Sequence, residues 1–223
     1  MLEFLTLKLE AFGLDISDLS LKIIKLEKKG RNFGLASFGE TKILPRIIRA
    51  GEIKKEENLV NIIKKAISEV KGKKIKTKYG VASLPEEKAF LQVIQMPRLP
   101  KEDLKSAVIY EAENYIPLPI EETYFDFQIV LPVSNHLDHC DVLIAALPRE
   151  TVDPYLSFLK KAGLVPLALE IESLAMARAL IKNEMTTSPV LIIDFGATRT
   201  SFIIFSGYSL RFTSSIPDRK SVV

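Results

Sequence analysis

The chain has 223 residues, 47% of them hydrophobic and 26% charged, and 31 basic against 28 acidic side chains leave a net charge of +3. That length fits one large domain or two small ones with a core that needs no staples, and the balance excludes a disordered or fibrous chain. The charge is too small to argue for nucleic acid or anionic lipid, and a single cysteine, Cys140, excludes an internal disulfide. Met1 to Glu10 alternates Leu2, Phe4, Leu7 and Leu9 with Glu3, Lys8 and Glu10, without the basic start or small-residue cleavage site of a leader. Phe12 to Ile16, Ser20 to Lys28 and Phe33 to Glu40 are short, β-rich and separated by turn formers, which predicts a three-strand meander. Leu59, Ile62, Ile63, Ala66, Ile67 and Val70 then recur at helical spacing, closed by Lys71-Gly72. The five lysines between Lys71 and Lys78 lack interleaved aromatics and read as a solvated loop.

The texture changes at Pro85. Six prolines, from Pro85 to Pro132, and both histidines lie ahead of Pro148, which predicts a small inserted subdomain. Within it Pro100 opens a helix whose Leu104, Ala107, Val108, Ala112 and Tyr115 share a face, and Pro117 ends it. Phe125 to Val133 and Asp141 to Leu147 form a hairpin around Ser134 to His139. Val152, Tyr155, Leu156 and Leu159 mark a helix stopped by Gly163, and Ser173 is the expected cap of another running to about Asn183. Val190 to Asp194, Thr200 to Phe205 and Tyr208 to Ser214 predict a second meander. No apolar run approaches the roughly 20 residues of a spanning helix, so cytoplasmic residence is the expectation.

Two of these strands end alike. Gly13-Leu14-Asp15-Ile16-Ser17-Asp18-Leu19-Ser20 and Ile193-Asp194-Phe195-Gly196-Ala197-Thr198-Arg199-Thr200 each place a carboxylate at a strand end before a turn of Gly, Ser or Thr, and another strand follows. Such a turn presents amides and hydroxyls to a phosphate while the carboxylate orients water on Mg²⁺. Either turn alone most often only closes a hairpin. His136, His139 and Cys140, beside Asp138 and Asp141, crowd one loop and read as a solvated turn rather than a metal site. No Ser-His-Asp or Cys-His arrangement appears at a readable spacing.

Together these residues resemble the actin-like ATPase superfamily, which includes actin, sugar kinases and the division protein FtsA, and whose folds have two duplicated halves that each start with a phosphate hairpin. Within it the chain resembles the PilM family of type IV pilus assembly. Phe12-Gly13-Leu14-Asp15-Ile16 with Ser20 and Lys22 resembles the first phosphate motif, although Ser17 stands where the family has Gly. Glu111-Ala112-Glu113-Asn114-Tyr115-Ile116-Pro117 with Glu121, Glu122 and Asp126 resembles the signature of the inserted subdomain. Ala162-Gly163-Leu164, Glu170-Ile171-Glu172-Ser173 and Ala177 resemble the linker into the second half, and Asp194-Phe195-Gly196-Ala197 with Thr200 the second phosphate motif.

The resemblance implies an α/β fold: the first half of an actin-like, ribonuclease H-like protein over 1–83 and 149–188, an inserted α+β subdomain over 84–148, and the start of the second half over 189–217. It implies ATP and Mg²⁺ as ligands, with Asp15 and Asp194 facing one cleft and holding the metal through water. Ser17, Ser20, Lys22, Gly196, Thr198 and Thr200 would meet phosphates, and Glu172 would position the attacking water. It implies a cytoplasmic scaffold, at most a weak ATPase, that grips the N-terminal tail of the inner-membrane protein PilN through Tyr115, Ile116 and Leu118. Other pilus assembly proteins and self-association are further expected contacts, and membrane contact is expected only through partners. The family continues past Ile216-Pro217 into an adenosine-binding part, so a C-terminally truncated fragment with a non-native tail at 218–223 and poor ATP binding is expected. A small-molecule kinase and an FtsA-like tethered filament are the alternatives.

Overall fold

The computed structural model describes residues 9–130 and 139–218. In chain order the elements are β1 (Phe12–Ile16), β2 (Ser20–Lys29), β3 (Asn32–Lys42), β4 (Ile48–Arg49), β5 (Glu52–Ile53), α1 (Glu56–Ser68), β6 (Lys71–Gly72), β7 (Tyr79–Leu84) and β8 (Phe90–Pro97). They continue with α2 (Lys101–Ala112), β9 (Thr123–Val130), β10 (His139–Pro148), α3 (Arg149–Lys161), β11 (Val165–Ile171), α4 (Glu172–Leu180), β12 (Thr186–Phe195), β13 (Arg199–Gly207) and β14 (Ser209–Pro217). The chain divides into two compact units, 1–84 with 154–170 and 85–153 with 171–223.

The first unit carries a six-stranded sheet in the order β11-β7-β1-β2-β3-β6. Alternation sets its faces: Phe12, Leu14, Ile16, Leu21 and Ile23 are buried, while Asp15, Lys22 and Ile24 point to the other side. α1 packs against β2 and β3 and buries Leu59, Val60, Ile63 and Ala66, one stripe at helical spacing. Glu56 and Glu57 open it and Lys65 lies in its last turn, matching the helix dipole. Tyr155 and Phe158 from α3 complete the core, their ring centroids 5.4 Å apart, and the Tyr155 hydroxyl donates to the Gly51 carbonyl at 3.0 Å. The lysine run is not wholly loop, since Lys71 and Gly72 pair with Phe38 and Ser37 as β6. Here φ is +90° at Gly72, and a Cβ on it would meet the Ala36 carbonyl oxygen at 2.3 Å, the same oxygen that accepts the Lys73 N–H at 2.9 Å. Gly72→Ala therefore loses at least about 2 kcal/mol from left-handed strain and displaced backbone together. A urea titration of the two proteins checks it.

The second unit has two three-stranded sheets, β8-β10-β9 and β12-β13-β14. α2 covers the first, where Leu104, Val108, Ala112 and Ile116 join Ile94, Met96, Val142 and Ile144 in one core. α4 supplies Ala177 to the second, against Ile192, Ile203, Phe205 and Leu210. The opposite side of that second sheet is apolar and exposed: Leu191, Ile193, Phe195, Ile204, Phe212 and Ile216 all face solvent.

Several expectations change. Ser173 does not cap α4, because the helix starts at Glu172 with Ile171 before it, and no side chain bonds the first amides. Ser173 lies inside the first turn, fully buried. The helix stops at Leu180 rather than near Asn183, where φ of +56° at Asn183 and +53° at Glu184 breaks the turn. Tyr115 leaves the α2 face, because the helix ends at Ala112 and Tyr115 is 40% exposed. The tip of the β9–β10 hairpin, with His136 and Asp138, lies outside the described residues.

Candidate functional site

In the first unit the end of β1 brings four of the expected residues together. Asp15 sits on the outward side of the sheet, and its Oδ2 lies 3.4 Å from Lys22 Nζ on the paired strand. Its Oδ1 accepts the Ser83 hydroxyl at 3.2 Å, and that same hydroxyl accepts the Ile16 N–H at 3.0 Å. Ser83, on β7 beside β1, thus fixes the Asp15 carboxylate and is absent from the sequence reading. The Ser17 N–H donates to the Ser20 carbonyl at 2.9 Å, and the two hydroxyls lie 2.9 Å apart. A carboxylate, an ammonium and two hydroxyls at one strand end form a donor set suited to a phosphate with its Mg²⁺. Asp18 plays another part: nearly buried, its carboxylate accepts the Ala50 and Gly51 N–H groups at 2.8 and 3.0 Å and anchors the loop between β4 and β5.

In the second unit β12 and β13 form the other hairpin, with Asp194 opposite Ser201 and Phe195 opposite Thr200. The Gly196 N–H donates to the Arg199 carbonyl at 2.9 Å, and a Cβ on Gly196 would lie 2.9 Å from that oxygen, so the tight turn needs glycine. The Thr198 carbonyl accepts the Asp218 N–H at 2.8 Å. Glu172, in the first turn of α4, is ion-paired to Arg199 Nη2, while Nη1 of the same guanidinium pairs with Glu87. Neither Arg199 nor Glu87 stands out in the sequence, because the contact joins positions 27 and 112 residues apart.

Beside them Glu86 is 5% exposed, hydrogen-bonded to Thr213, and has its Oε2 unpartnered. Burial, above all, raises its carboxyl above the ordinary 4.5, and Glu87 and Asp194 add to the shift while Thr213 and Arg199 oppose it. A carboxyl raised in the fold contributes stability that is full below the unfolded value and is lost as pH rises through the folded value. Glu86→Gln accordingly raises the melting temperature at neutral pH, and the gain shrinks toward pH 4. Thermal melts across that range read it directly.

The third group lies after α2. Glu113 and Ile116 to Glu121 line a shallow open concavity. Leu118 is about 40% exposed on it, and Tyr115, outside its lining but next to Ile116, is equally exposed, whereas Ile116 is 6% exposed and belongs to the core beneath α2. The segment is braced: Arg149 Nε donates to the Glu121 carbonyl at 2.8 Å, and the Thr123 hydroxyl to the Ile120 carbonyl at 2.9 Å. In the hairpin beyond, Asp141 is ion-paired to Arg211 at 2.7 Å. Among the described residues no group of three His, Cys, Asp or Glu is placed to hold a metal on its own.

This fold, with a carboxylate-ended strand and tight turn in each unit, is that of the actin-like ATPases. A protein of actin-like ATPase fold from Bacteroides thetaiotaomicron aligns with a TM-score of 0.50 at 12% identity, over 98% of this chain and 74% of its own. The cytoplasmic domain of EpsL, an inner-membrane component of the type II secretion system of Vibrio cholerae, aligns at 0.56 and 11% identity, over 93% and 71%. More specifically, the chain belongs to the family of the type IV pilus assembly protein PilM, which matches residues 13–214. A solved PilM-PilN type IV pilus biogenesis complex contains a chain similar to it at TM-score 0.78 and 28% identity, aligned over 94% of this chain. The chain spans 62% of the length of that relative.

Proposed function

We propose that this protein is a cytoplasmic, nucleotide-binding scaffold of type IV pilus assembly that grips the N-terminal tail of a PilN-type inner-membrane protein. The observation that carries it is the match at 28% identity to a chain solved as a PilM-PilN complex, together with a braced, exposed concavity in the inserted subdomain. Each unit offers its own candidate phosphate hairpin for MgATP, with Asp15, Ser17, Ser20 and Lys22 in the first and Asp194, Gly196, Thr198 and Thr200 in the second. The nucleotide would supply charge and bulk that bias a conformational equilibrium. Asp15 and Asp194 would each orient metal-bound water, Lys22 would balance phosphate charge, and the threonine and serine hydroxyls would donate to phosphate oxygens. The reading is of a conformational switch rather than of turnover. Among the described residues no helix is long and apolar enough to cross a membrane.

The test is capture of a synthetic peptide carrying the cytoplasmic N-terminal tail of the PilN-type protein from the same genome. The full-length protein binds it at micromolar strength or better, and binds MgATP independently. Phosphorylation of a small acceptor at steady rate, without peptide capture, would replace this reading with a kinase.

A further inference from the structure

We propose that Arg199 is a positioning residue of the second phosphate hairpin: in this structure its guanidinium holds Glu87 and Glu172 where a polyphosphate would otherwise take it, so nucleotide binding and release of this clamp are one event. The inference rests on the nucleotide reading above and adds its regulation. Arg199 belongs to the hairpin through its backbone, since its carbonyl accepts the Gly196 N–H that closes the turn. Its side chain is 14% exposed and shared between two carboxylates from separate elements: Nη1 with Glu87, in the turn after β7, and Nη2 with Glu172, in the first turn of α4. Both follow directly on a point where the chain passes between its units, at Leu84 to Pro85 and at Glu170 to Ile171. One cation therefore ties the hairpin to two of the crossing segments.

Charge makes the clamp releasable. Glu87 and Glu172 share the Arg199 guanidinium, and Glu86 beside them is nine-tenths buried with an oxygen that no donor satisfies. The guanidinium that the two carboxylates share stays protonated throughout the physiological range. A phosphate offers the same planar fork two oxygens at once and carries more charge than either carboxylate. A static brace would have no reason to sit within the turn that meets the ligand.

The experiment measures MgADP affinity of the full-length protein by isothermal titration, with thermal melts alongside, for wild type, Glu87→Gln, Arg199→Lys and Arg199→Ala. Removing one competing carboxylate in Glu87→Gln tightens MgADP roughly 5- to 10-fold even though it weakens the resting clamp. Arg199→Ala loosens it roughly 10-fold or more, and Arg199→Lys, which keeps the charge but not the fork, falls between the two. A brace with no part in binding moves the melting temperature and leaves all four dissociation constants equal; that result overturns the clamp alone. Glu87→Gln binding more weakly than wild type also overturns it. A wild-type protein that binds no MgADP overturns the nucleotide reading and the clamp with it.

Discussion

Asp15→Ala in the full-length protein weakens magnesium-nucleotide binding roughly 30- to 100-fold and leaves the fold standing. The size follows from what the carboxylate does. A charge-assisted hydrogen bond or a water-mediated metal contact contributes about 2 to 3 kcal/mol, and Asp15 is the one carboxylate at the end of β1 that faces Lys22 on the outward side of the sheet. Its stabilising role is small by comparison. The Asp15 and Lys22 side chains are 49% and 57% exposed, so their ion pair, 3.4 Å long, is worth at most about 1 kcal/mol. Affinity and stability therefore separate: the binding isotherm collapses while the melting curve moves by a few degrees at most. Asp15→Asn keeps an acceptor for the Ser83 hydroxyl and loses only the charge, so it tells metal-directed charge from hydrogen bonding. Asp194→Ala should lose affinity to a similar extent, because the second hairpin repeats the first. If Asp15→Ala binds MgATP as wild type does, the hairpin at β1 is a structural turn and the nucleotide lies elsewhere.

What could be read from the residues was what local pattern dictates. β1 runs over Phe12–Ile16 as expected, because five alternating residues bounded by turn formers decide it without help. α1 was legible because its buried stripe is set within one element. β8 and β11 were not, and both are edge strands: β11 pairs only β7, carries Pro166, and reads in isolation as a linker between helices. β7 lies inside the sheet, parallel to β1, with Gly80 opposite Phe12 across 68 residues of chain. A pairing so distant leaves no local mark. α4 was expected and is present, but its cap was not: Ser173 is a good capping residue, yet the core claims it, and burial outranks the cap.

The candidate sites divide along the same line. Asp15, Ser17, Ser20 and Lys22 lie within eight residues of one another and are joined by a single hairpin, so spacing was enough. Ser83 and Arg199 act through partners 68 and 27 residues away, and only the folded sheet and helix bring them in. Asp18 shows the converse. It stands in the phosphate-like turn and looks like part of it, yet its carboxylate is spent on the Ala50 and Gly51 amides.

Leu118→Asp together with Tyr115→Ser abolishes capture of the PilN-type tail, a loss of at least about 30-fold, with MgATP affinity unchanged. Each side chain is about 40% exposed, so the substitutions remove apolar surface that a partner can cover without opening the core. Two anchors of this size contribute about 2 kcal/mol or more between them at a central contact. An extended tail gains further from main-chain bonds and alternate side-chain pockets. The Pro117 and Pro119 pair and the Arg149 bond to the Glu121 carbonyl hold the wall before the tail arrives, which keeps the ordering cost low. Ile116 is the wrong position to probe: at 6% exposure it packs with Val108 and Ala112, and a charge there unfolds the subdomain rather than emptying the groove. Ile116→Val serves as the control, costing about 0.5 to 1.5 kcal/mol of stability and no peptide affinity. Retained capture by the double variant, with a melting curve like that of wild type, would move the partner surface away from this segment.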